Sequence, residues 1–262
     1  MSVPQAATRQ QPQPYTGDFF QAVGAGARRS AREIAPLVLD LVQPRSVIDV
    51  GCATGTWLAA FRELGVADAL GVDGDYVARE KLEIPVGSFR PFDLTRPLRL
   101  KRHFDLVVSL EVAEHLPESC AAQFVESLTL LGPVVLFSAA IPHQGGVHHV
   151  NEQWQDYWAA HFRARGYVPV DCIRGSVWQN ERVEYWYAQN TILYIEAAHL
   201  AGHTALRAAA EHAEGRPLAV VHPRRYAEVT ALLDWPRKLI PRAARGWMVH
   251  TFDRFQRRSA AH

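Results

Sequence analysis

The sequence predicts an α/β fold: a mostly parallel sheet of seven strands, helices on both faces, and an antiparallel pair of strands at the end. Three observations carry that prediction. Apolar runs of strand length, ending at Asp49, Asp73 and Leu110, alternate with segments of helical period. Glycines punctuate the junctions, at Gly51, Gly55, Gly65 and Gly166. Near the end, two strand patterns follow one another with no helix-length segment between them, and strands joined that way pair antiparallel.

The elements follow in order. Residues 1–14, rich in Gln and Pro, read as a flexible arm. Tyr15, Phe19 and Phe20 extend it with aromatics, and Gly24 and Gly26 loosen the backbone behind them, so the arm is set at 1–28. Ser30-Ala31-Arg32-Glu33 has the spacing of a capping box and opens a helix to about Val42, with Pro36 awkward inside it. The first strand ends Val47-Ile48-Asp49-Val50. Trp57, Leu58, Phe61 and Leu64 then share one helical face, and Gly65 stops that helix. The second strand spans about Ala69 to Asp73, and Phe89 to Leu94 reads as a short third strand carrying Asp93. Phe104 to Leu110 is a fourth strand, apolar on both faces. Ala121, Phe124, Val125, Leu128 and Leu131 mark a helix, and Val134 to Ala139 a fifth strand. Asn151 is placed as the cap of a helix presenting Trp154, Tyr157, Trp158 and Phe162, closed by Gly166. The last two strands are read at Tyr167–Arg174 and Val183–Ile195. The central domain is thus set at 29–200, and the remainder, 201–262, reads as a helical basic extension.

Composition narrows the function classes. The chain has 262 residues, 48% of them hydrophobic, enough for one sizeable core, and a formal net charge of +1 that argues neither for nor against nucleic acid. Cys52, Cys120 and Cys172 form no C-x-x-C pair, which fits a reduced, cytoplasmic chain. No apolar run approaches the roughly 18 residues of a membrane span, and the N-terminus lacks the order of a signal peptide.

The segment Asp49-Val50-Gly51-Cys52-Ala53-Thr54-Gly55-Thr56-Trp57 is a strand end, a glycine-bearing loop and a helix start. Such a loop lets a ligand lie against bare backbone and aims N–H groups at it. Asp73 ends the next strand, where a carboxylate can hold a ribose diol. Two ligands suit this arrangement, a dinucleotide and S-adenosylmethionine (SAM). A dinucleotide fingerprint requires G-x-G-x-x-G; here Ala53 stands between the glycines and no third glycine follows at the required offset. Asp49 also puts negative charge at the loop, which suits an ammonium better than a diphosphate. The spacing therefore favours SAM.

Over residues 15–197 the chain resembles class I SAM-dependent methyltransferases, and within them a bacterial subgroup acting on small metabolites or glycans. Asp49 to Gly55, Asp73, Asp93-Leu94, Ser109-Leu-Glu-Val-Ala-Glu-His-Leu-Pro117 and Ser138 to Trp154 carry the resemblance. It implies a Rossmann-like sheet with the antiparallel ending already read from the strands. It also implies that Gly51, Cys52, Ala53 and Gly55 meet the cofactor through backbone, with Asp49 near its amino group. Asp73 would bind both ribose hydroxyls, Asp93 the adenine amino group and Leu94 the ring. Leu110 and Glu111 would border the methionine portion, and Gly74, Tyr76 and Val112 are further candidates for cofactor contact. Tyr15, Phe19 and Phe20 are read as a lid over the cofactor.

Methyl transfer needs an aligned nucleophile and, for a hydroxyl, a proton acceptor. The loop after the fifth strand holds His143, His148, His149, Asn151 and Glu152, with Gly145 and Gly146 allowing movement. His149 fills the family's histidine position and is the first choice as base, followed by His148 and His115. Each has a plainer reading: His149 as a loop histidine bonded to backbone, Glu114-His115 as the start of the next helix, Trp154 and Trp158 as core. The loop residues match no common zinc spacing, so no metal is assigned. In the extension, Arg237, Lys238, Arg242 and Arg245 alternate with Leu239, Ile240 and Trp247; residues 236–262 read as a helix packed on the domain or a second subunit, or lying on an anionic membrane surface. The expected activity is O-methylation of a small or sugar-containing acceptor. A SAM-binding partner subunit without catalysis and an RNA methyltransferase are the alternatives.

Overall fold

A computed structural model of the protein describes residues 17–239, with side chains over residues 24–231. Residues up to Val220 form one compact unit, and those from Val221 onward belong to a second that contains the helix Pro223–Leu239. The expected lid aromatics Tyr15, Phe19 and Phe20, and the whole of the basic stretch 236–262, lie outside the residues whose side chains are described.

The first unit is built on a seven-stranded sheet. Its strands are β1 (Ser46–Val50), β2 (Asp68–Asp73), β3 (Phe89–Pro91), β4 (Leu106–Leu110), β5 (Val134–Ser138), β6 (Tyr167–Val170) and β7 (Ile192–Glu196). They stand in the order β3-β2-β1-β4-β5-β7-β6, with β7 antiparallel to both its neighbours and the remaining pairs parallel. The predicted fold class is therefore the observed one. Between β1 and β4 the chain reverses its direction of travel across the sheet, the position where ligands bind in open α/β sheets.

Side-chain alternation explains why both faces are covered. Val47, Leu106, Val108, Leu136 and Leu193 point to one face, under Ile34, Val38, Leu58 and Phe61 of helices α1 (Gly17–Val42) and α2 (Thr56–Glu63). Ile48, Val107, Val135, Phe137 and Tyr194 point to the other, under Phe124, Leu128, Trp158 and Phe162 of α3 (Ala121–Thr129) and α4 (Gln155–Arg163). Phe162 stacks on Tyr194 with ring centroids 3.8 Å apart. A strand buried on both sides is mostly apolar, which is why β1, β4 and β5 show as near-continuous runs in the sequence.

Four local expectations are corrected. The first helix starts at Gly17, upstream of the expected cap at Ser30. Ser30 lies inside it: its hydroxyl donates to the Gly26 carbonyl at 2.9 Å and accepts the Glu184 amide at 3.0 Å, so it serves a tertiary contact and not a helix end. The third strand stops at Pro91, and Asp93 falls in the turn beyond it, accepting the Thr95 amide and hydroxyl. Asn151 is buried, with its amide donated to the Glu114 carbonyl, and α4 begins only after Trp154, whose side chain is 43% exposed. Finally, the segment expected to be a strand from Val183 contains a helix, and β7 begins at Ile192. Between β6 and β7 lie α5 (Arg174–Val177) and α6 (Tyr185–Asn190), and the antiparallel pairing is retained. Two further helices, α7 (Ala197–Gly202) and α8 (Thr204–Ala213), follow β7, and Leu206 of α8 joins the core.

Candidate active site

A cleft of about 970 Å³ opens at the carboxyl ends of β1, β2 and β4, at the upper end of the range for ligand pockets. Much of its lining comes from strand ends and the loops after them. Gly51, Cys52 and Ala53 line it after β1, Asp73 and Gly74 after β2, Asp93 and Leu94 after β3, and Leu110, Glu111 and Val112 after β4. His115 and His149 face it from the turn after β4 and the loop after β5.

The β1 loop is held by its own polar groups. Gly51 and Cys52 donate their amides to the Val72 carbonyl at 2.8 and 3.3 Å, and Gly55 donates to the Cys52 carbonyl at 2.8 Å. Ala53 donates to Asp73 Oδ2 at 2.7 Å. The amides expected to face a ligand are thus turned inward, and the loop offers bare backbone instead. Gly51 and Gly55 take left-handed backbone at φ of 90° and 85°. A Cβ on Gly51 would come 2.3 Å from a Val112 methyl, and on Gly55 2.9 Å from Ile84, so the close approach needs glycine at both positions. Ala53 adopts φ 47° without that freedom.

Asp73 is 4% exposed. Beside the Ala53 amide it accepts the Gly74 amide at 2.6 Å and the Tyr76 hydroxyl at 2.5 Å. Asp49 is buried below the loop, off the cleft wall, and its Oδ2 has no hydrogen-bond partner. Glu111 holds a left-handed backbone (φ 55°), a strained conformation of a kind that collects at functional sites. Its carboxylate accepts Gln144 Nε2 at 2.9 Å and Asn190 Nδ2 at 3.2 Å.

The acceptor-side loop is organised by Glu152. Its carboxylate accepts the His143 and Gly145 amides at 2.7 and 2.8 Å, and His149 Nδ1 at 2.9 Å. A carboxylate only accepts, so Nδ1 of His149 carries a proton, and in the neutral ring the lone pair is then on Nε2. The His115 and His149 rings meet edge to face with centroids 4.8 Å apart. Burial, with His149 and His148 close by, pushes the His115 imidazole down to about 4, so it is neutral near pH 7. His148 stands off the cleft wall at φ 59°.

The electrostatics choose the ligand. Burial raises the carboxyls of Asp49, Asp73, Glu111 and Glu114 above the ordinary range. For Asp49 the Asp73 charge adds to that effect, and for Glu114 the Glu111 charge does. A ligand bringing positive charge relieves this crowding, whereas a diphosphate worsens it. SAM carries a sulfonium and an ammonium, and the glycine-lined loop leaves room for it against the backbone. Asp73, Asp93 and the Gly51–Ala53 loop are the residues that would hold it.

Of the sequence-derived site residues, Gly51, Cys52, Ala53, Asp73, Gly74, Asp93, Leu94, Leu110, Glu111, His115 and His149 line one cleft, while Asp49, Gly55 and His148 stand behind its wall. Sequence reasoning missed Trp57 as a wall and the aromatic set Tyr185, Trp186 and Tyr187 of α6, with Trp57 and Tyr187 packed edge to face at 5.1 Å. Three adjacent aromatics were the available signal. Their composition favours strand, which hides their place in a wall. The burial of Glu114 on the cleft was missed as well.

Comparison with known proteins agrees with this geometry. Residues 25–171 match a family model described as a methyltransferase domain. No curated protein matches the chain. Among solved structures it is similar to the sugar N-methyltransferase KedS8 of a Streptoalloteichus species, at 18% identity and TM-score 0.56, covering 75% of this chain and 98% of that one. It is similar to DesVI of Streptomyces venezuelae at 18% identity and TM-score 0.50, covering 68% and 95%. An O-methyltransferase family protein from Burkholderia thailandensis matches at 14% identity and TM-score 0.49, covering 68% and 57%. With a family match over more than half its length and a cleft built for a sulfonium nucleoside, the chain belongs to the SAM-dependent methyltransferases.

Proposed function

We propose that the protein transfers the SAM methyl group to a hydroxyl of a small or sugar-containing acceptor, with His149 accepting the proton. One observation carries the reading: His149, with Nδ1 held by Glu152, lines the same cleft as Asp73 and the Gly51 loop. The carboxylate fixes the tautomer and ring orientation, leaving Nε2 able to take a proton as the methyl arrives. In the transfer a C–O bond forms as the C–S bond breaks, sulfur keeps the electron pair, and the acceptor proton passes to the imidazole. The aromatic residues of α6 supply an apolar wall on which a sugar ring packs well. The sugar-containing class also fits the fold shared with KedS8, itself a sugar N-methyltransferase. Three cysteines without a disulfide are in keeping with a reducing, cytoplasmic setting.

The test is incubation with methyl-labelled SAM and a panel of sugars, hydroxylated metabolites, nucleotides and short RNAs. Label should enter a hydroxylated small molecule or sugar, and His149→Ala should slow that transfer at least a hundredfold with SAM affinity within threefold. Transfer to RNA alone, no transfer to any acceptor, or full activity in the variant would each overturn the proposal.

A further inference from the structure

One carboxyl on the cleft wall is buried without a close side-chain partner. Glu114 is fully buried, and neither of its side-chain oxygens has a hydrogen-bond partner. Burial pushes the pKa of its carboxyl well above the ordinary glutamate range, and the charges of Glu111 and Glu152 add to the effect; the nearby backbone amides of Glu114 and Ala140 offset it only in part. A buried carboxyl left in this state is costly unless a cation or donor meets it. Two imidazoles stand beside it. One ligating atom each from Glu114, His115 and His149 lie within 4.8 Å of one another.

We propose that Glu114, His115 and His149 form a binding site for one divalent first-row transition-metal ion, with open positions facing the cleft. Two imidazoles and one carboxylate are a donor set that suits zinc, manganese or iron better than magnesium or calcium. Donors sharing one ion at bonds of about 2.1 Å stand about 3–4 Å apart, so side-chain rotations of about an ångström close the site. The surroundings are those of a metal ligand. His149 gives Nδ1 to Glu152 at 2.9 Å, and a carboxylate on the far nitrogen is the usual support for a ligating histidine.

The use of the site rests on the methyl-transfer reading, although its occupancy does not. The Nε2 lone pair of His149 can serve as base or as ligand but not both at once. With an ion bound, an acceptor hydroxyl at an open position loses its proton more readily and releases it to solvent, and His149 becomes a positioning residue. The loop spacing His143, His148, His149 and Glu152 gave no metal pattern because two of the three ligands come from the turn after β4.

The experiment uses tag-free, full-length protein stripped with chelator. Cobalt(II) titration should give ligand-field absorption saturating at one ion per chain, and equilibrium dialysis should give the same stoichiometry with manganese and zinc. Glu114→Gln and His115→Gln should each weaken the ion at least a hundredfold, and Glu152→Gln about tenfold. SAM affinity by calorimetry should stay within threefold in all three, which also shows that the variants are folded. Absence of stoichiometric binding, or binding that survives in the Glu114 and His115 variants, overturns the site. Protein that binds SAM but no ion refutes this inference alone; protein that binds the ion but not SAM refutes the methyl-transfer reading alone.

Discussion

The Tyr76 hydroxyl donates to Asp73 Oδ1 at 2.5 Å, occupying a carboxylate oxygen that a ribose diol would use. The ring lies over Gly74, where a Cβ would come within 2.1 Å of it, and the side chain is otherwise half-exposed at 48%. Tyr76 thus holds the place of a ligand hydroxyl on a carboxylate that the loop has already fixed.

Two substitutions separate these roles. Asp73→Ala removes charge-assisted contacts worth about 1.5–3 kcal/mol each and frees the Ala53 amide as well. SAM affinity should fall at least tenfold by calorimetry. Tyr76→Phe removes only the competing donor, so affinity should hold or improve by up to threefold. A tenfold loss in the tyrosine variant would make its hydroxyl a ligand contact and not a placeholder.

The Glu114 carboxyl gives the protein an unusual pH response. Its folded value is raised above the unfolded one, so its contribution to stability is present below about pH 4.5 and is lost as pH rises. Glu114→Gln should therefore raise the Tm of chelator-treated, ligand-free protein at pH 7.5 by several degrees, with little change at pH 4.5. His115 acts with the opposite sign. Its folded value of about 4 lies below the unfolded 6.5, so its contribution is present above 6.5 and fades as pH falls toward 4. His115→Gln should flatten that acid limb, by up to about 3 kcal/mol. Thermal melts from pH 4 to 8 measure both slopes, and parallel curves for wild type and variants would contradict the account.

What could be read from the chain follows from which forces are local. Strands β1, β4 and β5 are apolar on both faces, and the Gly51 loop needs its glycines for backbone reasons, so both leave a mark in a short window of sequence. The helix at Tyr185–Asn190 leaves none. Its aromatics favour strand, and it is helical because Tyr185 and Tyr187 are buried and Tyr187 packs on Trp57, from a distant segment. Ser30 misled for the same reason, since its partner Glu184 comes from across the fold. At the site, the strand-end residues were legible because each strand carries its own carboxylate. The juxtaposition of Glu114 and His115 with His149 was not. It depends on the loop after β5 folding back so that the Val150 and Asn151 amides both reach the Glu114 carbonyl, at 2.9 and 3.0 Å.

Gly51 is held to glycine by backbone and by space. Gly51→Ala meets both penalties at once: a left-handed backbone at φ 90° and a Cβ 2.3 Å from Val112. About 1–2 kcal/mol comes from the backbone alone, and the clash displaces Val112 or the loop. The variant should melt several degrees lower and lose most SAM binding. Adding Val112→Ala should recover part of the stability, because it removes the clash but not the strain. Full recovery in the double variant would show that the backbone term is negligible.

Arg174 tests whether stability and the site can be separated. It is 3% exposed, and its guanidinium forks onto Asp171 at 2.9 and 2.7 Å. The same group donates to the Gln189, Leu218 and Pro217 carbonyls at 3.1, 2.7 and 3.3 Å, tying the segment after α8 to the end of α6. Arg174→Ala strands a mostly buried carboxylate and three carbonyls, a loss of about 3–5 kcal/mol for a broken buried pair. For a unit of this size that is about 6–20 °C in Tm. Lysine in its place keeps the charge but not the fork, so Arg174→Lys should recover less than half of the loss. None of these contacts reaches the cleft, so SAM affinity measured well below the melting temperature should stay within threefold. A large loss of affinity in folded Arg174→Ala would mean that the segment after α8 positions the α6 wall, and that the pin and the site are one cooperative unit.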